Sequence, residues 1–389
     1  MRQRYYSLDV FRGATVALMI LVNNPGSWSH LFSPLKHAPW HGCTPTDLVF
    51  PFFLFAVGNA LSFVMTGFEE IGSLPFLKKV LKRSLLIFFI GLFLNWYPFI
   101  KWSDAGLVAK YWVDPIHPES GIRILGVLQR IALAYLLSSL IIYYFKISGS
   151  FVVGAVILLG YWFACMAGNP LDPFSIEGWF GTAIDKKILG IAHMYKGEGF
   201  PFDPEGLVST LPAIVSVMMG YFTGHLIQSK GKNFEMLSQL FVIGCLLVFT
   251  GYMWDFSFPI NKKIWTSSYV LYTSGLAMLV LGLLIYLLEM RSLKPRWSRF
   301  FEVFGKNPLF IFAFSVLLPR SLALLRWEDH MDDHGKTVYT SALPWFYEHI
   351  CKPISSDPKV GSFLYAICMM VFMWSIVWWM DRQKWYIKV

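Results

Sequence analysis

Charged residues make up only 15% of this 389-residue sequence, whereas 56% of its residues are hydrophobic. A soluble globular protein carries about 25% charged and about 45–50% apolar residues. The shortage of charge excludes an ordinary soluble domain. It predicts an all-α integral membrane protein, a polytopic bundle in which helices cross the bilayer.

Two further patterns are missing. The five cysteines fit no zinc or redox spacing, and whether Cys43 and Cys351 form a disulfide is left open. The sequence also has no internal repeat, so it lacks the inverted-repeat signature of many transporters. The net charge of +9 comes from basic residues that flank apolar segments rather than form one stripe. Nucleic acid is therefore not an expected partner.

Windows of about 17–25 mainly apolar residues predict about ten membrane-spanning helices in one domain, residues 1–389. Asp9 and Arg12 interrupt the first apolar run, so we expect a retained helix and not a cleaved signal peptide. The predicted spans are 8–23, 48–66, 84–100, 123–145, 150–167, 207–228, 237–253, 265–289, 300–323 and 359–380.

Lysine and arginine are denser in the N-terminus, in residues 67–83 and 290–299, and in the C-terminal tail than in the alternate loops. The positive-inside rule places these segments, and both termini, in the cytoplasm. Four long loops are then predicted to face outward, and loops of this length are usually functional or disordered. They are residues 24–47, 101–122, 168–206 and 324–358.

A polar stretch directly before the second span concentrates groups that could carry chemistry. It contains His37, His41 and Asp47, and the apolar run that follows continues through residue 58. A histidine oriented by a carboxylate is a general base near neutral pH. Asp47 could instead only cap the helix that follows. The histidines lack an HExxH-type pattern, so we expect no metal.

Ionisable residues inside predicted spans are costly in lipid and are functional candidates. They are Asp9, Arg12, Arg123, Arg130, Lys306 and Arg320. Asp9 and Arg12 are three residues apart and could simply pair with each other. Arg130 has no acid in its own helix and needs a buried partner or an anionic ligand. Lys306 and Asn307, together with Arg12, could form a basic pocket for phosphates.

The outer loops offer candidate substrate contacts. Asp203 and Glu205 precede the sixth span, where they could recognise a cationic or hydroxyl-rich substrate or merely favour the helix dipole. The aromatic faces of Trp40 and Trp179 suit stacking on sugar rings, although most tryptophans here are expected in interfacial belts. The acidic and histidine run from Asp329 to His334 is either a weak divalent-ion site or a solvated loop.

Several stretches together resemble one known family, the transmembrane N-acetyltransferases related to heparan-α-glucosaminide N-acetyltransferase. They are SLDVFRG (7–13), VNN (22–24), HAPWHGCTPTDLVFPFFLFAVG (37–58), RILGVLQR (123–130), DPEGLVSTLPAIV (203–215) and PINKKIWTSSYV (259–270). FGKNPLFIF (304–312) is a looser match. The resemblance runs along most of the chain in the family's order.

The resemblance implies transfer of an acetyl group from cytosolic acetyl-CoA to an amino sugar or glycan across the membrane. His37 stands at the family's catalytic histidine, in H-A-x-W, and Asn23 at its catalytic asparagine. Direct transfer with His37 as general base and a transient acetyl-histidine both stay open. The phosphates of acetyl-CoA would need a cytoplasmic basic pocket, for which Arg12, Arg130 and Lys306 are the hypotheses.

Two other functions compete with this one. A transporter for amino sugars would also suit many spans and an aromatic outer mouth, but it has no need for a base at the outer rim. An O-acetyltransferase for cell-wall polysaccharide would share the histidine and differ in its acceptor. We expect a bacterial-type protein in the inner membrane, and a homodimer is left open.

Overall fold

The computed structural model describes residues 5–103, 106–293, 295–331, 335 and 337–387. Helices dominate the described part of the chain. They are α1 (Tyr6–Asn23), α2 (Val49–Ile71), α3 (Ser73–Trp96), α4 (Val127–Gly168), α5 (Gly181–Leu189), α6 (Leu207–Lys230), α7 (Phe234–Trp254), α8 (Ser267–Ile285), α9 (Arg296–Lys306), α10 (Pro308–Leu322), α11 (Ala342–Phe346) and α12 (Pro358–Arg382). Each predicted span overlaps one of these helices, except that span 300–323 overlaps both α9 and α10.

The central helices approach each other closely because glycines stand where they cross. A methyl group added at Gly58 on α2 would lie 1.7 Å from the carbonyl oxygen of Val217 on α6. Gly13 on α1 similarly meets the backbone of Phe301 on α9. Small residues at such crossings let helix backbones touch inside a membrane. Helix α2 is thereby fixed against α6, and α1 against α9.

Helix α4 contains two arms. Lys146 has non-helical angles, with φ 55° and ψ −169°. The hydroxyl of Ser150 donates a hydrogen bond of 3.2 Å to the carbonyl of Ile141. Nine residues of straight helix would separate these groups by about 13 Å. The chain therefore reverses at Lys146, between the predicted spans 123–145 and 150–167.

Among the described residues, seven helices are long and apolar enough to cross a membrane, or eight if α9 and α10 form one bent span. The angle between those two helices is 80°. This criterion does not reach the predicted ten, for two reasons. The two arms of α4 count as one helix, and α3 carries four basic residues between Lys78 and Arg83.

The predicted outer loops contain regular structure. Strands β1 (Ile100–Ser103) and β2 (Gly106–Ala109) form one antiparallel hairpin, and β3 (Arg326–Met331) and β4 (Thr337–Ser341) form another. Loop 24–47 is tied to the start of α12, where Ser27 and Ser362 exchange two hydrogen bonds. All five cysteines are free thiols, and Cys43 and Cys351 pack in different core clusters.

Candidate active site

Asp47 and His37 form a hydrogen-bonded pair just before the N-terminal end of α2. Oδ1 of Asp47 lies 2.6 Å from Nδ1 of His37. The other carboxylate oxygen, Oδ2, accepts three hydrogen bonds of 3.0 Å, from the backbone of Ala38 and from the backbone and hydroxyl of Thr44. Asp47 is buried, and Pro45 begins the 3₁₀ turn that places it there. The carboxylate therefore both caps the turn and orients the imidazole.

This pair fixes which ring nitrogen can accept a proton. An ionised carboxylate only accepts hydrogen bonds, so Nδ1 of His37 carries the proton that points to Asp47. Nε2 then holds the free lone pair, and the described residues provide it with no hydrogen-bond partner. An imidazole held this way by a carboxylate is suited to act as a general base.

Lys262 joins the pair from a distant part of the chain. Its Nζ lies 3.1 Å from Nδ1 of His37 and 3.5 Å from Oδ1 of Asp47. Burial lowers the pKa of Lys262, although Asp47 and Glu205 favour its charged form. Sequence reasoning assigned Lys262 no role. Its only signal was its position inside the stretch 259–270.

A cavity of about 180 Å³ opens beside these groups, and it is called the outer cavity after the predicted topology. Its polar lining includes Asn23, His37, Glu205 and Lys262, and the remaining wall is mostly apolar. Asn23 is the last residue of α1 and is exposed, and its side-chain amide makes no hydrogen bond to the described residues. An amide and an imidazole thus face one small space from two different helix ends.

A second cavity of about 400 Å³, called the inner cavity after the predicted topology, lies next to it. The two cavities share four wall residues, Phe53, Leu128, Ile131 and Leu309. Arg12 and Asn23 lie eleven residues apart on α1, which corresponds to about 16 Å along the helix axis. The two cavities thus lie one after the other along α1 and α2 inside the bundle.

The inner cavity is basic. Arg12, Arg83 and Lys306 line it. Arg12 pairs with Asp9 at 2.8 Å, and Lys306 pairs with Asp381 and Glu302 at 2.9 Å each. Arg83 lies over the ring of Tyr135 and forms no ion pair with any described residue. Sequence reasoning missed Arg83 because four basic residues at the start of α3 look alike as positive-inside charges.

Comparison with known families decides which family this arrangement belongs to. The family model described as heparan-alpha-glucosaminide N-acetyltransferase, catalytic, matches residues 4–253 of this chain. That range is more than half of the sequence and includes Asn23, His37, Asp47, Arg83 and Glu205. The chain belongs to the heparan-alpha-glucosaminide N-acetyltransferase catalytic family.

Two relatives carry that name. The human heparan-alpha-glucosaminide N-acetyltransferase is 26% identical over 400 residues, which cover 87% of this chain and 57% of the human protein. The mouse protein is 26% identical over 399 residues, which cover 87% of this chain and 58% of its own length. The chain thus spans somewhat more than half the length of these relatives. Its family and its apolar helices together make it an integral membrane protein.

For this family member, the structure corrects the grouping of Arg130 with Arg12 and Lys306. Arg130 lies on the first turn of α4, is 1% exposed, and lines neither cavity. Its guanidinium donates to the carbonyl of Pro204 at 2.6 Å and to the hydroxyl of Ser209. Its buried partners are therefore within the protein, and it holds the loop that carries Glu205.

Asn307 is also engaged elsewhere. Its side-chain amide donates to the carbonyl of Trp385 at 3.0 Å and its oxygen accepts from the backbone of Ile387 at 2.9 Å. Asn307 is fully buried and ties the C-terminal tail to the bend between α9 and α10. The predicted contact of Asn307 with a cofactor is replaced by this structural role.

Asp203 and Glu205 differ from each other. Both carboxylates pair with Arg123, at 2.5 Å in each case. Asp203 is fully buried and also accepts from the backbone of Tyr195, so it supports the loop. Glu205 alone reaches the outer cavity. Burial opposes the charge of Arg123, but Glu205 and Asp203 outweigh it and raise its pKa above the usual value.

The two tryptophans predicted to stack on sugars occupy different environments. Trp179 is 1% exposed and packs in a core cluster with Phe202, so it has no face for a substrate. Trp40 is half-buried, donates to the carbonyl of Phe174 at 2.8 Å, and lines neither cavity. Its contact with substrate remains a prediction.

Among the described residues, no group of three or more His, Cys, Asp or Glu side chains is arranged to hold a metal ion. Asp329 and His330 form a pair at 2.9 Å on an exposed strand. Asp332, Asp333 and His334 lie outside the described residues. His41 contacts Asn261 and lines neither cavity, which leaves His37 as the histidine of the site.

Proposed function

We propose that this chain is a membrane acetyltransferase that moves the acetyl group of acetyl-CoA to the amine of an amino sugar or glycan. The observation that carries the proposal is the row of two cavities. A basic inner cavity adjoins an outer cavity that holds a carboxylate-oriented histidine, and they share four wall residues. The family match supports the same reaction class.

In this proposal, the inner cavity receives the phosphates of cytosolic acetyl-CoA. Arg83 is the strongest contact, because no carboxylate among the described residues neutralises it. Arg12 and Lys306 add positive potential while retaining their acidic partners. Phosphate groups bind such basic clusters through charge-assisted hydrogen bonds. The pantetheine arm then passes the shared apolar wall, which suits its weakly polar chain.

At the outer cavity, His37 acts as general base. Nε2 takes a proton from the acceptor amine as its nitrogen attacks the thioester carbonyl, and the carbon–sulfur bond breaks to release CoA. Asp47 holds the ring and stabilises the imidazolium that forms. Asn23 donates a hydrogen bond to the developing oxyanion, an interaction worth about 3–4 kcal/mol in other acyl-transfer enzymes.

We further propose ten crossings with both termini in the cytoplasm, within a bacterial inner membrane. The reversal at Lys146 supplies two crossings from α4, and α3 supplies another despite its basic start. That basic start then lies on the cytoplasmic side, together with the inner cavity. The arrangement places His37 on the opposite side, where the acceptor is.

The test uses purified protein in detergent with radiolabelled acetyl-CoA and a panel of amino sugars and glycan fragments. Wild type should form an acetylated product, and His37→Ala should form none. His41→Ala is the matched control and should retain activity. Retained sugar uptake by His37→Ala in vesicles, with no binding of acetyl-CoA, would favour a transporter. An O-acetylated product would assign the chain to cell-wall acetylation.

A further inference from the structure

Lys262 is held at the wall of the outer cavity by a rigid loop. The backbone of Gly42 donates to the carbonyl of Ile260 at 2.7 Å. The side-chain oxygen of Asn261 accepts from the backbone of Ile264, which follows Lys262, at 3.0 Å. The backbone of Asn261 donates to the hydroxyl of Thr266, also at 3.0 Å. The residues on both sides of Lys262 are thus fixed, and Lys262 lines the cavity with its side chain 22% exposed.

The contact of Nζ with His37 favours a neutral amine, whereas the carboxylate of Asp47 at 3.5 Å favours the charged form. Nδ1 of His37 directs its proton to Asp47, so it has no lone pair to accept from an ammonium group 3.1 Å away. A neutral amine avoids placing two donors against each other. The lowered pKa of Lys262 that follows from its burial acts in the same direction. The cavity wall therefore carries a primary amine where, in the proposed reaction, an acceptor amine attacks.

We propose that Lys262 is a self-acetylation site, which takes the acetyl group when a thioester occupies the outer cavity and no acceptor does. This inference rests on the proposed function, since it needs acetyl-CoA to reach that cavity. The Nζ lone pair attacks the thioester carbonyl carbon, a carbon–nitrogen bond forms and the carbon–sulfur bond breaks. The proton lost by nitrogen passes to the CoA thiolate. The products are ε-N-acetyl-lysine and CoA, with no change of oxidation state.

Acetylation would inactivate the site. The amide nitrogen can no longer take up a proton, so Asp47 loses the basic group 3.5 Å away. It also extends into a cavity of only about 180 Å³, where it competes with the acceptor. Because an amide is far more stable than a thioester, the modified enzyme would not return to activity by itself.

Lys263 supplies a matched control in the next position. Its Nζ pairs with Glu198 at 2.6 Å and lies over the ring of Trp40. It lines neither cavity. If acetyl-CoA reacted with lysines directly from solution, it would modify Lys263 and exposed lysines such as Lys78. The reaction directed by the outer cavity should not modify them.

The experiment incubates the full chain in detergent with ¹³C-acetyl-CoA and no acceptor, followed by peptide mass spectrometry. Turnover with the amino-sugar panel is measured on the same preparation. We expect Lys262 to be labelled about 100-fold faster than Lys263 or Lys78, because a positioned group reacts at a high effective concentration. Saturating acceptor, or heat denaturation before labelling, should abolish the preference for Lys262.

Activity is measured before and after the same incubation. Wild type and Lys263→Arg should lose activity with time, and Lys262→Arg should keep whatever initial rate it has. Turnover of the amino sugar without acetylation at Lys262 would overturn this inference and leave the proposed function intact. Equal labelling of all accessible lysines, or labelling of His37 alone, would also overturn it. Absence of both turnover and acetyl-CoA binding would overturn both proposals.

Discussion

The carboxylate of Asp47 holds His37 through one oxygen only, at 2.6 Å, while its other oxygen is saturated by three donors from Ala38 and Thr44. This division separates two tasks within one side chain. One oxygen orients the imidazole, and the other fixes the turn that precedes α2. The two tasks can be tested separately.

Asp47→Asn should lower kcat for acetyl transfer by about 10³-fold, because an amide cannot hold the imidazole in the required tautomer. Thr44→Val is the control, since it removes a bond to the second oxygen and leaves the bond to His37. It should change kcat little. Equal losses in the two variants would show that only the fold of the turn matters.

Arg83→Gln should raise KM for acetyl-CoA by about 10- to 100-fold, which corresponds to the loss of one charge-assisted hydrogen bond of about 1.5–3 kcal/mol. The value of kcat should stay close to wild type. Lys79→Gln, which removes a basic residue from the same helix outside the cavity, should leave KM unchanged. Steady-state kinetics at varied acetyl-CoA distinguishes these outcomes, and similar KM values in the two variants would refute the role of Arg83.

The pH dependence of stability should contain a contribution from Asp185 on α5. Burial raises its pKa to about 6, with Asp203 adding to the rise and Arg130 opposing it. The folded protein then binds a proton that the unfolded chain has lost. The contribution of Asp185 to the stability of the folded state is therefore fully present below pH about 4 and is lost as the pH rises towards 6.

Asp185→Asn should remove that contribution and raise the free energy of unfolding at pH 7 by about 2 kcal/mol. The amide oxygen can still accept from the backbone of Leu207, as Oδ1 does at 2.9 Å. Thermal unfolding in detergent between pH 4 and 8 measures the effect. An unchanged slope against pH in the variant would contradict it.

Gly58→Ala should destabilise the protein by about 1–3 kcal/mol, because the new methyl group meets the backbone of Val217 at the crossing of α2 and α6. Gly160→Ala on α4 is the control, since nothing lies within 4 Å of its added methyl group. It should be neutral or slightly stabilising, because alanine favours helix over glycine. Thermal unfolding of both variants under one condition provides the comparison. A larger loss in Gly160→Ala would be inconsistent with the close crossing.

The positions of the helices were predictable because hydropathy is a local property. The predicted span 48–66 matches α2 apart from its first residue, Leu48, and 207–228 lies within α6. The reversal inside α4 was predicted as a boundary near residue 146, although local hydropathy alone treats the arms as one helix. The 80° bend at Asn307 was not predicted, although Pro308, which begins α10, cannot continue the hydrogen bonding of α9.

The candidate site was predictable only in part. The Asp47–His37 contact joins residues ten positions apart, within one motif, so a sequence pattern was sufficient. Lys262 lies 225 positions from His37, and no local pattern connects them. Trp179 was predicted to contact substrate but is buried. An exposed tryptophan and a buried one have the same sequence signature.

The sequence by itself determined a helical membrane protein with an asparagine at the end of one helix and a histidine and a carboxylate before the next, because charge scarcity, apolar length and motif spacing are all local. The tertiary structure decided which charged groups face a cavity and which face each other. Arg130 and Arg83 are both arginines in or near predicted spans, yet Arg130 donates to the loop at Pro204 and Arg83 lines a cavity. That difference arises because a buried charge is stabilised by the partners that folding brings to it, and those partners lie far away in the chain.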